Sequence, residues 1–181
     1  MIKKEMKEER IIKELNKEIN KEKKEYIGAI VLGLNDALIE ITGALAGLTL
    51  ALQNSKIIAV VGLIIGISAS LSMSASEYLS IKSEKTKNKP LKSAFYTGSV
   101  YLLTVLLLIS PYLLLKNVYY SLILTLIIAL IIIFIFTYYI SVKKNYPFKK
   151  RFLDMLLIGL GVTAISFIFG YLIRISFGVE I

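Results

Sequence analysis

Four side chains in the apolar part of the chain have the chemistry to hold a cation: Asp36, Glu40, Met73 and Glu77. Asp36 and Glu40 lie in the stretch GLNDALIE, residues 33–40, and Met73 and Glu77 stand four apart further on. Helical spacing of four puts each pair on one face. Carboxylate oxygens suit a hard divalent cation, and a borderline one such as Fe²⁺ also tolerates a thioether. The same carboxylates are able to bind and release protons, as acids do in coupled transporters. The 181 residues include neither Cys nor His. That removes disulfides, thiolate and imidazole ligands, and every Cys- or His-based catalytic arrangement. With no nucleophile–base or cofactor motif, no enzyme and no resident cofactor are expected.

The elements that must position these residues are membrane spans. The chain is 56% hydrophobic with a mean hydropathy of +0.70. Runs such as SLILTLIIALIIIFIFTYYI carry no charge over about 20 residues, the length of helix that crosses a bilayer. The expected fold is all-α: a polytopic membrane protein with a charged N-terminal cytoplasmic helix over 1–25 and a five-helix transmembrane domain over 26–181. The spans fall at about 26–52, 57–81, 93–115, 118–141 and 152–177 by hydropathy. The densely charged N-terminus lacks an apolar h-region, so no cleavable signal peptide is expected.

The net charge of +9 is itself a topology signal. Of 22 Lys and Arg, nine fall in the first 25 residues, five in 82–92 and five in 143–151. By the positive-inside rule these segments are cytoplasmic, and an odd number of spans then puts the C-terminus outside. Membrane topology accounts for the charge, and no nucleic-acid partner is expected. High Ile and Lys usage points to a prokaryote and therefore to the plasma membrane.

Steps of three or four along the first helix join Glu18, Glu22, Glu25, Ala29, Gly33, Asp36, Glu40, Gly43 and Gly47 on one face. Along the second they join Gly62, Gly66, Ala69, Met73, Glu77, Ser80 and Glu84. The first two spans are rich in Gly, Ala and Ser, which suits close helix approach, and are expected to form the inner pair. The third and fourth, mostly Leu, Ile, Val, Phe and Tyr, suit lipid contact. Structural alternatives stand beside each functional reading. In these alternatives Asp36 serves as hydrogen-bonded glue, Glu77 as an interfacial partner of Lys82, and Met73 as core filler. The Gly-xxx-Gly pairs Gly43/Gly47 and Gly62/Gly66 read as packing motifs. Glu18, Glu22 and Glu25 form either a solvated face or a surface that collects cations at the mouth. Asp154 is expected to pair with Lys150 or Arg151, and Arg174 to snorkel.

GLNDALIEITGALAGL in the first span and ASLSMSASEYLSIKSE closing the second resemble the paired signatures of the vacuolar iron transporter (VIT) family. FLDMLLIGLGVTAISFIFGYLIR resembles that family's last helix, and the likeness covers roughly residues 25–178. The resemblance implies a homodimer of five-helix protomers that moves Fe²⁺, and often Mn²⁺, out of the cytosol in exchange for protons. It implies metal-binding roles for Asp36, Met73 and Glu77, and a pathway lined by the first helices of both protomers. Glu40 rests on helical phase alone. The sequence departs from the family pattern at Ala37, where a Gly is usual, and at Ala29, Ile65 and Ala69, which are donors in plant members. The connection over 82–92 is short and basic where plant-type members carry a metal-binding domain. A different class of function also remains open: a non-transporting membrane scaffold whose N-terminal helix docks a soluble partner.

Overall fold

In the computed structural model the chain forms five helices: α1 (Ile2–Leu52), α2 (Ser55–Ser83), α3 (Pro90–Leu114), α4 (Val118–Lys144) and α5 (Phe148–Phe177). The structure describes residues 2–84, 89–144 and 146–177, with the backbone alone over 2–11 and 13–25 and at 144. Each helix contains a stretch long and apolar enough to cross a membrane: Tyr26–Leu52, Ser55–Ser83, Pro90–Leu114, Val118–Lys143 and Phe148–Ser176. The protein is an all-helical, multi-pass membrane protein. Helices are the outcome because a bilayer offers no water to unpaired backbone groups, so each span must satisfy its own.

The helix ends have local causes. Asn54 opens α2 by accepting from the backbone N–H groups of Lys56 (3.1 Å) and Ile57 (3.2 Å). Asn117 does the same for α4, through Tyr119 (3.0 Å) and Tyr120 (3.2 Å). Both are side-chain caps of otherwise orphaned donors. Pro90 starts α3, where a missing N–H does no harm. The turn between α1 and α2 is only Gln53 and Asn54, and Gln53 takes a left-handed φ of 49° to make it. Pro111 lies inside α3 and cannot donate to the carbonyl of Leu107. That carbonyl is served instead by the Ser110 hydroxyl at 2.7 Å.

The basic connections place the start of the α1 span, the α2–α3 loop and the α4–α5 loop at one end of the bundle, called the basic end below. α1 touches every other helix, with α3 and α5 as its main neighbours, and α2 packs chiefly on α3. In α1 and α3 half of the most apolar stretch is buried, against 28% in α2 and 6% in α5. Within the single chain the most buried pair is thus α1 and α3 rather than α1 and α2. The cause is one face of α3. Beneath its Leu-rich average it buries Ser93, Thr97, Gly98, Tyr101 and Thr104 against its neighbours.

Close approach explains two glycine contacts. A Cβ at Gly33 would collide with the carbonyl of Thr97, so α1 and α3 meet backbone to backbone at that level. A Cβ at Gly170 would strike the backbone of Gly47, and one at Gly47 would lie 2.9 Å from the Ser166 carbonyl oxygen. Gly43 faces Val162 and Ser166, Gly62 faces Leu45 and Ile109, and Gly66 faces Val105. Both Gly-xxx-Gly pairs are occupied by helix packing, where small residues let backbones draw together.

Candidate metal centre

Asp36 stands ten residues beyond Tyr26, where the first span begins. At 1.5 Å per residue that is about 15 Å along the helix, and Glu40 lies one turn further. An ionised acid at such depth costs about 2.5–3.5 kcal/mol on insertion scales, so its surroundings must answer for it. The two answers differ. Glu40 is exposed on the surface of the single chain, yet its Oε2 accepts a hydrogen bond of 2.6 Å from the hydroxyl of Tyr101. Tyr101 is wholly buried, so its ring is fixed within the bundle and its polar tip reaches the acid from inside. Asp36 is half-buried and has no hydrogen bond or ion pair among the described residues. Its electrostatic neighbours are Glu40, a like charge one turn away, and the Tyr101 hydroxyl.

Glu77, near the basic end of α2, repeats the Glu40 arrangement. Its Oε1 accepts from the Ser93 hydroxyl at 2.6 Å. The Lys82 ammonium lies over the ring of Tyr78, 5.6 Å from its centroid, so Glu77 has Ser93 rather than Lys82 as its partner. Met73, one turn from Glu77, is partly buried and packs against the central apolar cluster. Such a position fits core filling as well as a ligand held in reserve.

Ser93, Thr97 and Tyr101 stand four apart and form one buried face of α3. Thr97 donates to the carbonyl of Ala29 on α1 at 3.3 Å, and also to that of Ser93 at 3.2 Å. One face of α3 therefore reaches Glu77 on α2 and both Ala29 and Glu40 on α1. Ser93 and Tyr101, the partners of two candidate ligands, are the residues that sequence reasoning missed. The signal was a Ser–Thr–Tyr repeat of period four within an apolar span.

The pairing fixes levels along the bundle. Ser93 and Tyr101 are eight residues apart, so the Glu77 and Glu40 levels are separated by about 12 Å. Glu77 is nearer the basic end, and Glu40 lies deeper. Among the described residues no three acidic side chains converge on a point. Ser68, Ser72 and Ser76 add an exposed hydroxyl stripe on α2. The side chains of Glu18, Glu22 and Glu25 lie outside the described residues. Asp154 is exposed, with no ion pair to Lys150 or Arg151 among the described residues.

Among curated proteins none matches the chain. The model of the VIT family matches it over residues 27–89 and 84–171, which together take in nearly all of the first span, the next three and most of the fifth. The first of these segments holds Asp36, Glu40, Met73 and Glu77, and the second begins just before α3. This match, over most of an all-helical five-span chain with acids deep in its first span, makes the protein a member of the VIT family, whose members are membrane transporters of metal ions.

Proposed function

We propose that the protein exports Fe²⁺ or Mn²⁺ from the cytosol across the plasma membrane, as a homodimer and in exchange for protons. The observation that carries this reading is the contrast at mid-span. Asp36 has no protein donor among the described residues, while Glu40 one turn away is held by Tyr101 yet open at the chain's surface. An acid serving as glue would accept hydrogen bonds from its neighbours, and Asp36 accepts none among the described residues. Two carboxylates also fall short of a first-row cation's coordination needs, and no third acid joins them among the described residues. A two-fold axis beside this face doubles the set to four carboxylates and covers polar surface otherwise presented to lipid. The exposed Ser68, Ser72 and Ser76 of α2 favour the same burial.

The basic end is cytoplasmic on the positive-inside rule, with the N-terminus inside and the C-terminus outside. An ion then meets Glu77 and Met73 first and Asp36 with Glu40 next. It leaves outward as protons take its place on the carboxylates. Glu18, Glu22 and Glu25 would concentrate cations at the entrance. Transport requires that the ion bind the inward- and outward-open states with different affinity.

The test is flux in liposomes. Purified protein should carry Fe²⁺ or Mn²⁺ at a rate that responds to an imposed pH gradient, and Asp36→Ala should lose that flux. Normal flux in Asp36→Ala would remove Asp36 from the pathway. Absence of flux for every divalent ion tried would leave the membrane scaffold as the better account.

A further inference from the structure

We propose that α3 sets the ion preference of this pathway, through Tyr101 and Ser93, by restricting Glu40 and Glu77 to one coordinating oxygen each. The inference rests on the reading of the protein as a divalent-ion transporter. Each hydroxyl sits 2.6 Å from a single carboxylate oxygen, Oε2 of Glu40 and Oε1 of Glu77. Bonds this short, to a charged acceptor, are among the stronger hydrogen bonds a protein makes. Both donors are anchored, since Tyr101 is 0% and Ser93 1% exposed. The rotamer of each acid is therefore tied to a rigid helix, with one oxygen turned to its hydroxyl and the other left for a cation.

That geometry discriminates by ion size. Ca²⁺ gathers six to eight oxygens and draws on carboxylates that bind through both oxygens at once. Smaller first-row ions need fewer ligands, and a borderline one such as Fe²⁺ also tolerates the thioether that Met73 offers. A pathway of one-oxygen carboxylates answers Fe²⁺ or Mn²⁺ and leaves Ca²⁺ short of ligands. Asp36, with no hydroxyl partner among the described residues, keeps both oxygens for whichever ion arrives. Tyr101 and Ser93 are positioning residues in this scheme: they act on the ion through the acids they hold.

The experiment is Mn²⁺ flux by the full chain in liposomes, with Ca²⁺ as competitor. Tyr101→Phe keeps the ring and removes the hydroxyl. It should lower the Ca²⁺ concentration that halves Mn²⁺ flux by roughly fivefold or more, the scale of a lost charged hydrogen bond. The Mn²⁺ KM should rise more than kcat falls. The Ca²⁺ shift should vanish when Tyr101→Phe is made in a Glu40→Gln background. Ser93→Ala, a smaller change, should shift Ca²⁺ competition in the same direction through Glu77, and it decides the question if Tyr101→Phe does not fold. Unchanged Ca²⁺ competition in both variants, with Mn²⁺ flux retained, overturns the inference and leaves the transport reading intact. A Ca²⁺ shift that persists in the Glu40→Gln background also overturns it. A parent protein that carries no divalent ion overturns both.

Discussion

The α1–α3 pair is built differently at its two ends. Toward the end away from the basic loops, polar groups pair off among themselves. Thr49 and Tyr112 share a hydroxyl–hydroxyl bond of 2.6 Å, and the Ser55 hydroxyl reaches the carbonyls of Tyr112 (2.8 Å) and Leu115 (2.7 Å). Gln53 donates to the Tyr119 hydroxyl at 3.2 Å, and Gly47 lies against Gly170. The acid-bearing half is different: Asp36, Glu40 and Glu77 bring six carboxylate oxygens, and the described side chains give them two donors, Tyr101 and Ser93. Donors and acceptors balance in one region, while acceptors are in surplus in the other. A surplus of acceptors in a medium without water is unstable by itself, and a cation relieves it. The balanced end holds the helices together; the unbalanced one is where an ion has something to do.

Three substitutions test that contrast, and the largest effect belongs to Asp36. Asp36→Ala should reduce metal flux at least about a hundredfold, at or beyond the upper end of what loss of supporting ligand contacts produces. Its unfolding temperature in detergent should stay level or rise, because a desolvated charge has been removed. A fall in stability would mean that Asp36 is structural after all. Gly170→Ala should do the reverse. Its methyl has no room beside Gly47, and the strain should destabilise the protein by about 1–3 kcal/mol in a detergent unfolding titration. Any flux loss should follow the loss of folded protein. Thr49→Val should have the smallest effect on transport, although it breaks two buried hydrogen bonds, to the Leu45 carbonyl and the Tyr112 hydroxyl, at about 1–3 kcal/mol of stability. Its metal KM should equal that of the parent. A changed KM in Thr49→Val would show that the two ends are not separable.

What was legible in the sequence follows from what averages well. Five apolar runs of membrane length survive any smoothing window, and the five helices could be read off directly. Asp36 and Glu40 were conspicuous because acids are rare in such runs. The most buried pair within the chain was not legible. Composition averages over all faces of a helix, and α3 keeps its hydroxyls on one face and its Leu residues on the others. Ser, Thr and Tyr also sit near the middle of hydropathy scales, so a buried Ser93 or Tyr101 leaves little trace. Which carboxylate each of them meets depends on helix rotation and vertical offset, which no spacing rule supplies. The contact of Gly47 with Gly170 has the same origin: each glycine is visible in its own span, but their pairing is a property of two helices.

The bond between Tyr101 and Glu40 also carries a consequence for descent. The phenol is sealed inside the bundle, and a buried hydroxyl left without an acceptor costs about 1–3 kcal/mol. A lineage that loses the acid at position 40 inherits a penalty at position 101 until a Phe or another apolar residue replaces the tyrosine. A lineage that loses the tyrosine first leaves a charged side chain without its anchor. Neither position drifts freely while the other is kept, and through Tyr101 a helix that bears no acid of its own has a stake in which acids the first helix retains.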